Sequence, residues 1–231
     1  MKGKLLILLL VGVLSFCVKT LQGFAYSDEL SKYFALKLGA FIPNRNENVV
    51  KNVYATSGGL KNFDTGINLE FVAGKKISLG ENLSKPYLAT ELSVGYYGTS
   101  KETYFFYGLY KYEEDVGAIP VGLTGKVVIS LRKYELYGGA GIDAYYTFYE
   151  QTIKNIFGVK LYSKTTSSTV MGYHFVGGVN LNLSRKFAVG LELKWNKAEP
   201  KYEIKYEDYP SKKAKINYGG TFVNFFVKWN F

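Results

Sequence analysis

The chain has 231 residues, enough for one sizeable domain, and its composition is unusual for a water-soluble protein: 17% of residues are aromatic, with 21 Tyr and 16 Phe beside 25 Gly. Mean hydropathy is nonetheless only −0.05, so apolar residues are abundant but finely divided among polar ones. A helical membrane protein needs runs of about 20 apolar residues, and the chain after residue 25 has none. The formal charge of +10 could suit a nucleic-acid binder, but an export signal at the N-terminus excludes that partner.

That signal comes first in chain order. Lys2 and Lys4 form a positive start and residues 5–18 are almost wholly apolar. Gly23-Phe24-Ala25 then places small residues three before and one before a cut after Ala25. Residues 1–25 are expected to be cleaved, leaving a mature domain over 26–231. Roughly 14 apolar residues are too few to span a bilayer comfortably. Cys17, the single cysteine, would leave with the signal. Phe16 before it is not the small residue that lipidation wants, so the mature chain should carry no thiol chemistry. Loss of Lys2, Lys4 and Lys19 lowers the formal charge from +10 to +7.

Period-two alternation then marks eight segments. The first, 33–42, sets Phe34, Leu36, Leu38, Ala40 and Ile42 on one face and Lys37 and Gly39 on the other. The second, near 63–74, sets Phe63, Ile67, Leu69 and Phe71 against Asp64, Gly66, Asn68 and Glu70. In the third, 87–97, Leu88, Leu92, Val94 and Tyr96 oppose Ala89, Glu91, Ser93 and Gly95. In the fourth, 119–131, Val121, Leu123, Val127 and Ile129 oppose Gly122, Thr124, Lys126 and Ser130. The fifth, 134–149, is the clearest: Leu136, Ala140, Ile142, Ala144, Tyr146 and Phe148 against Glu135, Gly139, Gly141, Asp143 and Thr147. The sixth, 170–183, places His174, Gly178, Asn180 and Asn182 on the polar face, and the seventh, 187–196, Gly190, Glu192, Lys194 and Asn196. The last ends with Val223, Phe225, Val227, Trp229 and Phe231 on one face.

The connections alternate in length. Residues 43–62, 98–118, 150–169 and 197–216 are long, polar and Lys-rich, whereas 75–86, 132–133 and 184–186 are shorter. Long loops on one side and short turns on the other suit a transmembrane barrel. A soluble sandwich or a lipocalin-like cup shows the same alternation with the apolar face inward. The signal, the aromatics near strand ends and the glycines on the polar face favour the inverted arrangement, because a narrow lumen needs glycine beside large charged side chains. The fold class expected is therefore all-β: an eight-stranded antiparallel up-and-down transmembrane barrel with short periplasmic turns and long extracellular loops.

The ending Val223-x-Phe225-x-Val227-x-Trp229-x-Phe231 resembles the C-terminal insertion signal of outer-membrane barrels. The stretches YGGAGIDAYY (137–146) and GYHFVGGVNLNLSRKFAVGLELKW (172–195) look like the strand–turn–strand pattern of the small barrels grouped around OmpA, OmpX and OmpW. The resemblance implies a bacterial outer-membrane location with both termini periplasmic. Its implied partners are membrane lipid, lipopolysaccharide, the barrel-assembly machinery and a possible surface partner at the outer loops.

On the inward face, Glu70, Glu91, Lys126 and Glu192 fall at similar depth, with Lys37 and Lys228 slightly below and Lys194 slightly above; Glu135 and Asp143 share that face. Such charges are costly unless paired, so the expectation is a salt-bridged plug, with a polar pore as the alternative. His174, the single histidine, follows Ser167, Ser168 and Thr169 toward the expected outer end of its strand, but Val176 stands where a lipid A deacylase-like pattern wants Ser. No enzyme, cofactor or metal site is expected. KYEIKYEDY (201–209) and TYFFYGLYKY (103–112) continue strict alternation and should extend strands as a protruding sheet, an edge on which a partner strand could add. The expected function is structural or surface-interacting, with an OmpW-like transporter as the alternative and a lipid A-modifying enzyme behind both.

Overall fold

A computed structural model describes residues 31–44, 64–78, 86–105, 107–206, 209–215 and 218–231. The expected signal segment with its cut after Ala25, and Phe63, lie outside the described residues.

Alternation of apolar and polar side chains lets each segment present one face to each side of a sheet, and the segments pair as successive hairpins. The strands are β1 (Lys32–Pro43), β2 (Gly66–Ser78), β3 (Tyr87–Phe105), β4 (Tyr110–Leu131), β5 (Tyr134–Asn155), β6 (Lys160–Asn182), β7 (Phe187–Lys197), β8 (Lys201–Tyr206), β9 (Tyr209–Lys215) and β10 (Gly220–Asn230). Eight of them close into an antiparallel barrel in the order β1-β2-β3-β4-β5-β6-β7-β10, and β8 and β9 form a separate hairpin between β7 and β10. The ring shuts where β1 meets β10, with Tyr33 opposite Asn230 and Pro43 opposite Gly220. Phe231 N donates to Lys32 O at 2.8 Å, extending that seam to the last residue.

The barrel is inside-out. Leu38, Ile67, Leu123, Leu191 and Leu193 point outward with 55–72% of their surface exposed, whereas Lys37, Glu70, Glu91 and Glu192 point inward with 5% or less. At one end the turns are tight: Leu131 opposes Tyr134 across Arg132-Lys133, with Arg132 at φ 55°, and Ser184 Oγ accepts from Lys186 N at 3.2 Å and Phe187 N at 3.0 Å. Both Lys32 and Phe231 lie at this end.

Three local expectations need correction. Residues 98–118 and 150–169, both expected as connections, are ladder for most of their length: β3 pairs with β4 out to Phe105 opposite Tyr110, the strand extension expected of 103–112 on either side of its turn, and β5 pairs with β6 out to Lys154 opposite Lys160. Their polarity on both faces suggested loops, but a sheet standing in water is polar on both faces, and the Tyr and Thr content favours strand. The expected extension over 201–209 does not prolong β7, which ends at Lys197; Lys201–Tyr206 pairs with Tyr209–Lys215 as the β8–β9 hairpin. Asp64 precedes β2 and is exposed rather than facing the lumen.

The four-stranded extension of β3–β6 carries its own charge pattern. Asp115 lies opposite both Ser100 and Glu150, and Glu113 opposite Glu102. Lys111 Nζ stands 2.6 Å from Glu102 and 2.9 Å from Glu113, and Lys154 Nζ 2.6 Å from Glu113. Hydrogen bonds from Lys154 and then Lys111 hold the Glu113 carboxyl below the usual glutamate range. Burial, and then the Glu150 charge, hold the Asp115 carboxyl above the usual aspartate range. A carboxyl raised in this way binds its proton more tightly in the folded sheet than in the unfolded chain, so its contribution to stability falls as pH rises through the carboxylate range. Asp115→Asn is therefore expected to raise the urea midpoint at neutral pH by an amount equivalent to about 0.5 kcal/mol, and the gain should shrink as pH is lowered below about 4; parallel urea titrations at neutral and acidic pH check both.

A charged and aromatic lumen

Eight strands enclose a lumen so narrow that side chains must fill it, and the alternating register sends one residue in two inward. Glycines on that face make the room. A Cβ on Gly141 would meet the His174 ring at 2.5 Å, and one on Gly122 would collide with the Asp143 carboxylate. Both glycines are therefore the space that the His174 and Asp143 side chains occupy.

All nine charged residues expected on the inward face are buried there. Glu192 is their hub: Lys37 Nζ donates to Oε1 at 2.7 Å, and Lys126 Nζ and the Tyr137 hydroxyl donate to Oε2 at 2.9 and 3.0 Å. Glu91 Oε2 lies 2.8 Å from Lys126 and 3.8 Å from Lys37, and its Oε1 accepts from the Tyr33 hydroxyl at 2.8 Å. Glu70 is shared by Lys194 at 3.4 Å and Lys37 at 3.7 Å. Nearer the closed-turn end, Lys228 Nζ donates to Glu135 Oε2 at 2.8 Å, and Asn180 Nδ2 to the same oxygen at 2.7 Å. Lys126 Nζ also sits 4.4 Å from the centre of the Tyr137 ring, adding a cation–π contact to its two carboxylates.

Asp143, the fifth carboxylate, takes an imidazole as its nearest side-chain partner. His174 Nδ1 lies 2.6 Å from Asp143 Oδ2, His174 Nε2 2.9 Å from Thr124 Oγ1, and Lys194 Nζ 3.9 Å from Asp143 Oδ1. The Tyr145 hydroxyl donates to Asp143 Oδ2 at 2.8 Å. A hydroxyl, an imidazole and a carboxylate in line have the order of a nucleophilic relay, but Thr124, His174 and Asp143 are at most 4% exposed, which leaves no approach for a lipid substrate. The serines before His174 play no part in this arrangement. β6 continues to Lys160, so His174 sits mid-strand rather than toward an outer end. Thr124 was legible only as an inward polar position.

Above the charges, rings that alternation alone did not mark pack together inside the barrel. Phe41, Tyr97 and Phe222 pack with centroids 4.6–5.0 Å apart, and Tyr97 meets Tyr145 edge-on at 6.3 Å. Their hydroxyls are tied down: Tyr97 donates to Tyr218 O at 2.9 Å, Tyr218 to Phe148 O at 2.8 Å, and Asn196 Nδ2 donates to the Tyr145 hydroxyl at 3.0 Å. Higher still, the Tyr149 hydroxyl donates to Glu114, whose other oxygen is 3.9 Å from Lys101. On the closed-turn side of the charge layer, and lined partly by it, Tyr33, Glu91, Lys126, Tyr137, Glu192 and Phe226 border a cavity of about 20 Å³, room for roughly one water molecule.

The C-terminal residues Val223, Phe225, Val227, Trp229 and Phe231 all point outward. Phe231 stacks on Phe34 across the closing seam at 5.0 Å, and Trp229 on Phe187 at 5.9 Å.

Because Glu192 receives three donors at 1% exposure, Glu192→Ala leaves two buried ammonium groups short of their anion. The expected loss is about 3–5 kcal/mol, read as a lowered urea midpoint of the folded barrel. Glu150→Ala, on the exposed extension, should cost under about 1 kcal/mol in the same measurement.

No family model matches the sequence, and no curated protein does either. Among solved structures, the chain is similar to Neisserial surface protein A, at 11% identity over 87% of this chain and 96% of that one, with a TM-score of 0.49. It is similar to a major outer membrane protein from Thermus thermophilus, at 13% identity over 87% and 99% with a TM-score of 0.47. It is also similar to the N-terminal β-barrel domain of Pseudomonas aeruginosa OprF, at 12% identity over 88% and 100% with a TM-score of 0.40.

Proposed function

We propose that the protein is an outer-membrane barrel with a plugged lumen that serves as a structural and surface-interaction element, holding a four-stranded sheet clear of the cell surface. The observation that carries this reading is the inversion of the barrel. Large apolar side chains are outside and nine ion-paired charges are inside, an order that water would disfavour and a bilayer requires. The apolar belt takes membrane lipid and, on its outer leaflet, lipopolysaccharide. Residues 1–25 are the cleaved export signal, and Val223, Phe225, Val227, Trp229 and Phe231 are the strand that the assembly machinery reads. The closed-turn end, with both Lys32 and Phe231, faces the periplasm.

The charge layer and the ring layer above it support a plug rather than a conduit, because the carboxylates and lysines are spent on one another at 2.7–3.9 Å. The interaction role rests on the extension. Over Lys160–Gly172, β6 is paired with β5, and among the described residues its ladder to β7 starts only at Tyr173, although Lys197 and Ala198 pack on Gly172 and β8 approaches the same strand; a partner strand could add on the part of that edge nearest the tip.

Purified folded protein is expected to give no steady conductance in planar bilayers, and Glu91→Ala should lower its urea midpoint by about 3–5 kcal/mol equivalent. Steady open-channel currents from the parent, with Glu91→Ala changing ion selectivity and not stability, would replace the plug by a transporter. N-terminal sequencing of the protein from outer membranes is expected to begin at or near Tyr26, and deletion of Phe231 to lower the yield of heat-modifiable barrel.

A further inference from the structure

The outermost part of the extension is apolar. β4 and β5 stay paired as far as Tyr110 opposite Asn155, so the β3–β4 turn and the β5–β6 turn emerge side by side. Between them they expose Tyr107 and Phe157 almost completely, at 107% and 83%, and Leu109, Ile156 and Val159 at 51–56%. The tip stands seven residues along β5 beyond Phe148 at the aromatic rim, roughly 20 Å at about 3.3 Å per residue.

Both turns are built to hold those side chains out. Tyr107 and Gly108 have φ of 54° and 84°, consecutive left-handed residues as in a tight hairpin turn, where Asn or Gly at the first position is free of strain. A bulky Tyr there is costly, so the site keeps an aromatic ring against the backbone's preference. In the neighbouring turn, Asn155 Oδ1 accepts from Phe157 N at 3.0 Å and Val159 N at 2.9 Å. Gly158 N donates to Asn155 O at 2.9 Å and Asn155 N to Val159 O at 3.0 Å. These bonds fix the loop with Ile156 and Phe157 pointing away from the sheet.

Directly behind the tips runs a row of lysines: Lys111 opposite Lys154, and Lys154 opposite Lys160. Carboxylates lie below them, Glu102 and Glu113 against Lys111 and Lys154, and Glu150 at 3.4 Å from Lys160. A surface approaching the tip therefore meets rings and aliphatic groups first, lysines second and acids last. Rigid aromatic and aliphatic tips backed by lysines suit the headgroup boundary of an anionic bilayer. A sugar partner would use the rings of Tyr107 and Phe157 but has no use for Leu109, Ile156 and Val159, which neither stack flat nor hydrogen-bond.

We propose that the paired tips at Tyr107–Leu109 and Ile156–Val159 form a lipid-docking surface that inserts into the headgroup region of an anionic bilayer apposed to the one the barrel spans. The idea rests on the extension being held outside the barrel's own membrane, as in the reading above, and its test is independent of lumen and orientation. The mature barrel in phosphatidylcholine nanodiscs, accessible from both faces, is mixed with phosphatidylcholine vesicles that contain or lack phosphatidylglycerol, and co-flotation is measured. The parent is expected to float with the phosphatidylglycerol vesicles, and Ile156→Ser with Phe157→Ser to weaken that by roughly tenfold or more. Tyr107→Gly relieves the turn and cannot unfold it, so the variant should keep the parent's heat-modifiability and still lose vesicle binding. No co-flotation by the parent, equal co-flotation by all variants, or parent nanodiscs that pair with each other in the absence of vesicles would each overturn the proposal, the last in favour of a second copy as the occupant. Steady conductance in the bilayer assay would remove the plug and leave this result standing.

Discussion

Everything in this barrel follows from placing carboxylates and lysines in a space that water barely enters. An unpaired charge there costs several kcal/mol, so each inward position is constrained by the one it faces. Glu192 shows the constraint in its tightest form, with two lysines and a tyrosine sharing two oxygens at 2.7–3.0 Å. Glycine on the same face is the other half of that arrangement. Asp143 and His174 can lie in line only because Gly122 and Gly141 have no Cβ to occupy the place. Substituting either glycine therefore acts on the charges, although the glycines bear none.

One sheet also works in two solvents. Through the barrel β3–β6 alternate strictly, with Leu123 and Ile142 out and Thr124 and Asp143 in. Past the rim the same strands carry charge on the outward face, where Asp115, Glu113 and Glu150 replace aliphatic residues. The change occurs just past Tyr96 and Phe148, whose rings stack at 6.2 Å, as interfacial aromatics do at the edge of a hydrocarbon layer. The solvent boundary is written in the side chains, while the hydrogen-bonded ladder runs through it without interruption.

The barrel's order, its faces and its tight turns were legible because each depends on a local pattern of period two. The nine inward charges were legible for the same reason, since Glu135 or Lys194 has only one face to occupy once its neighbours are placed. The ring layer was not. Tyr145 falls between Asp143 and Thr147 on the polar face, and Phe41 and Phe222 meet there only because β1 pairs with β10, a contact between the two ends of the barrel sequence. Thr124 and His174 belong to strands that do not neighbour one another, so their contact depends on the depth of each strand in the barrel, which alternation does not encode. The extension of β3–β4 was legible in the alternation of 103–112, whereas that of β5–β6 was hidden because polarity on both faces reads as loop until a partner strand is known.

The partners in the charge layer carry a consequence for how the barrel closes. Lys37 lies on β1 and Glu192 on β7, with β10 between them; Lys126 on β4 reaches Glu192 across the lumen, and Lys194 on β7 reaches Glu70 on β2. These contacts join residues 66 to 155 positions apart, and none of them exists in an open sheet of hairpins. Before closure, the same lysines and carboxylates would share one uncovered face, and neighbouring pairs such as Lys37 with Glu70 at 3.7 Å would satisfy only part of it. Closure brings the remaining partners within reach together and removes them from water in the same step. The desolvation that makes each charge expensive alone is thus offset only in the fully closed ring, so partly closed arrangements are penalised relative to both the open sheet in water and the finished barrel. A charged lumen of this kind selects for complete closure in a way that an aliphatic one, indifferent to which residues meet, would not.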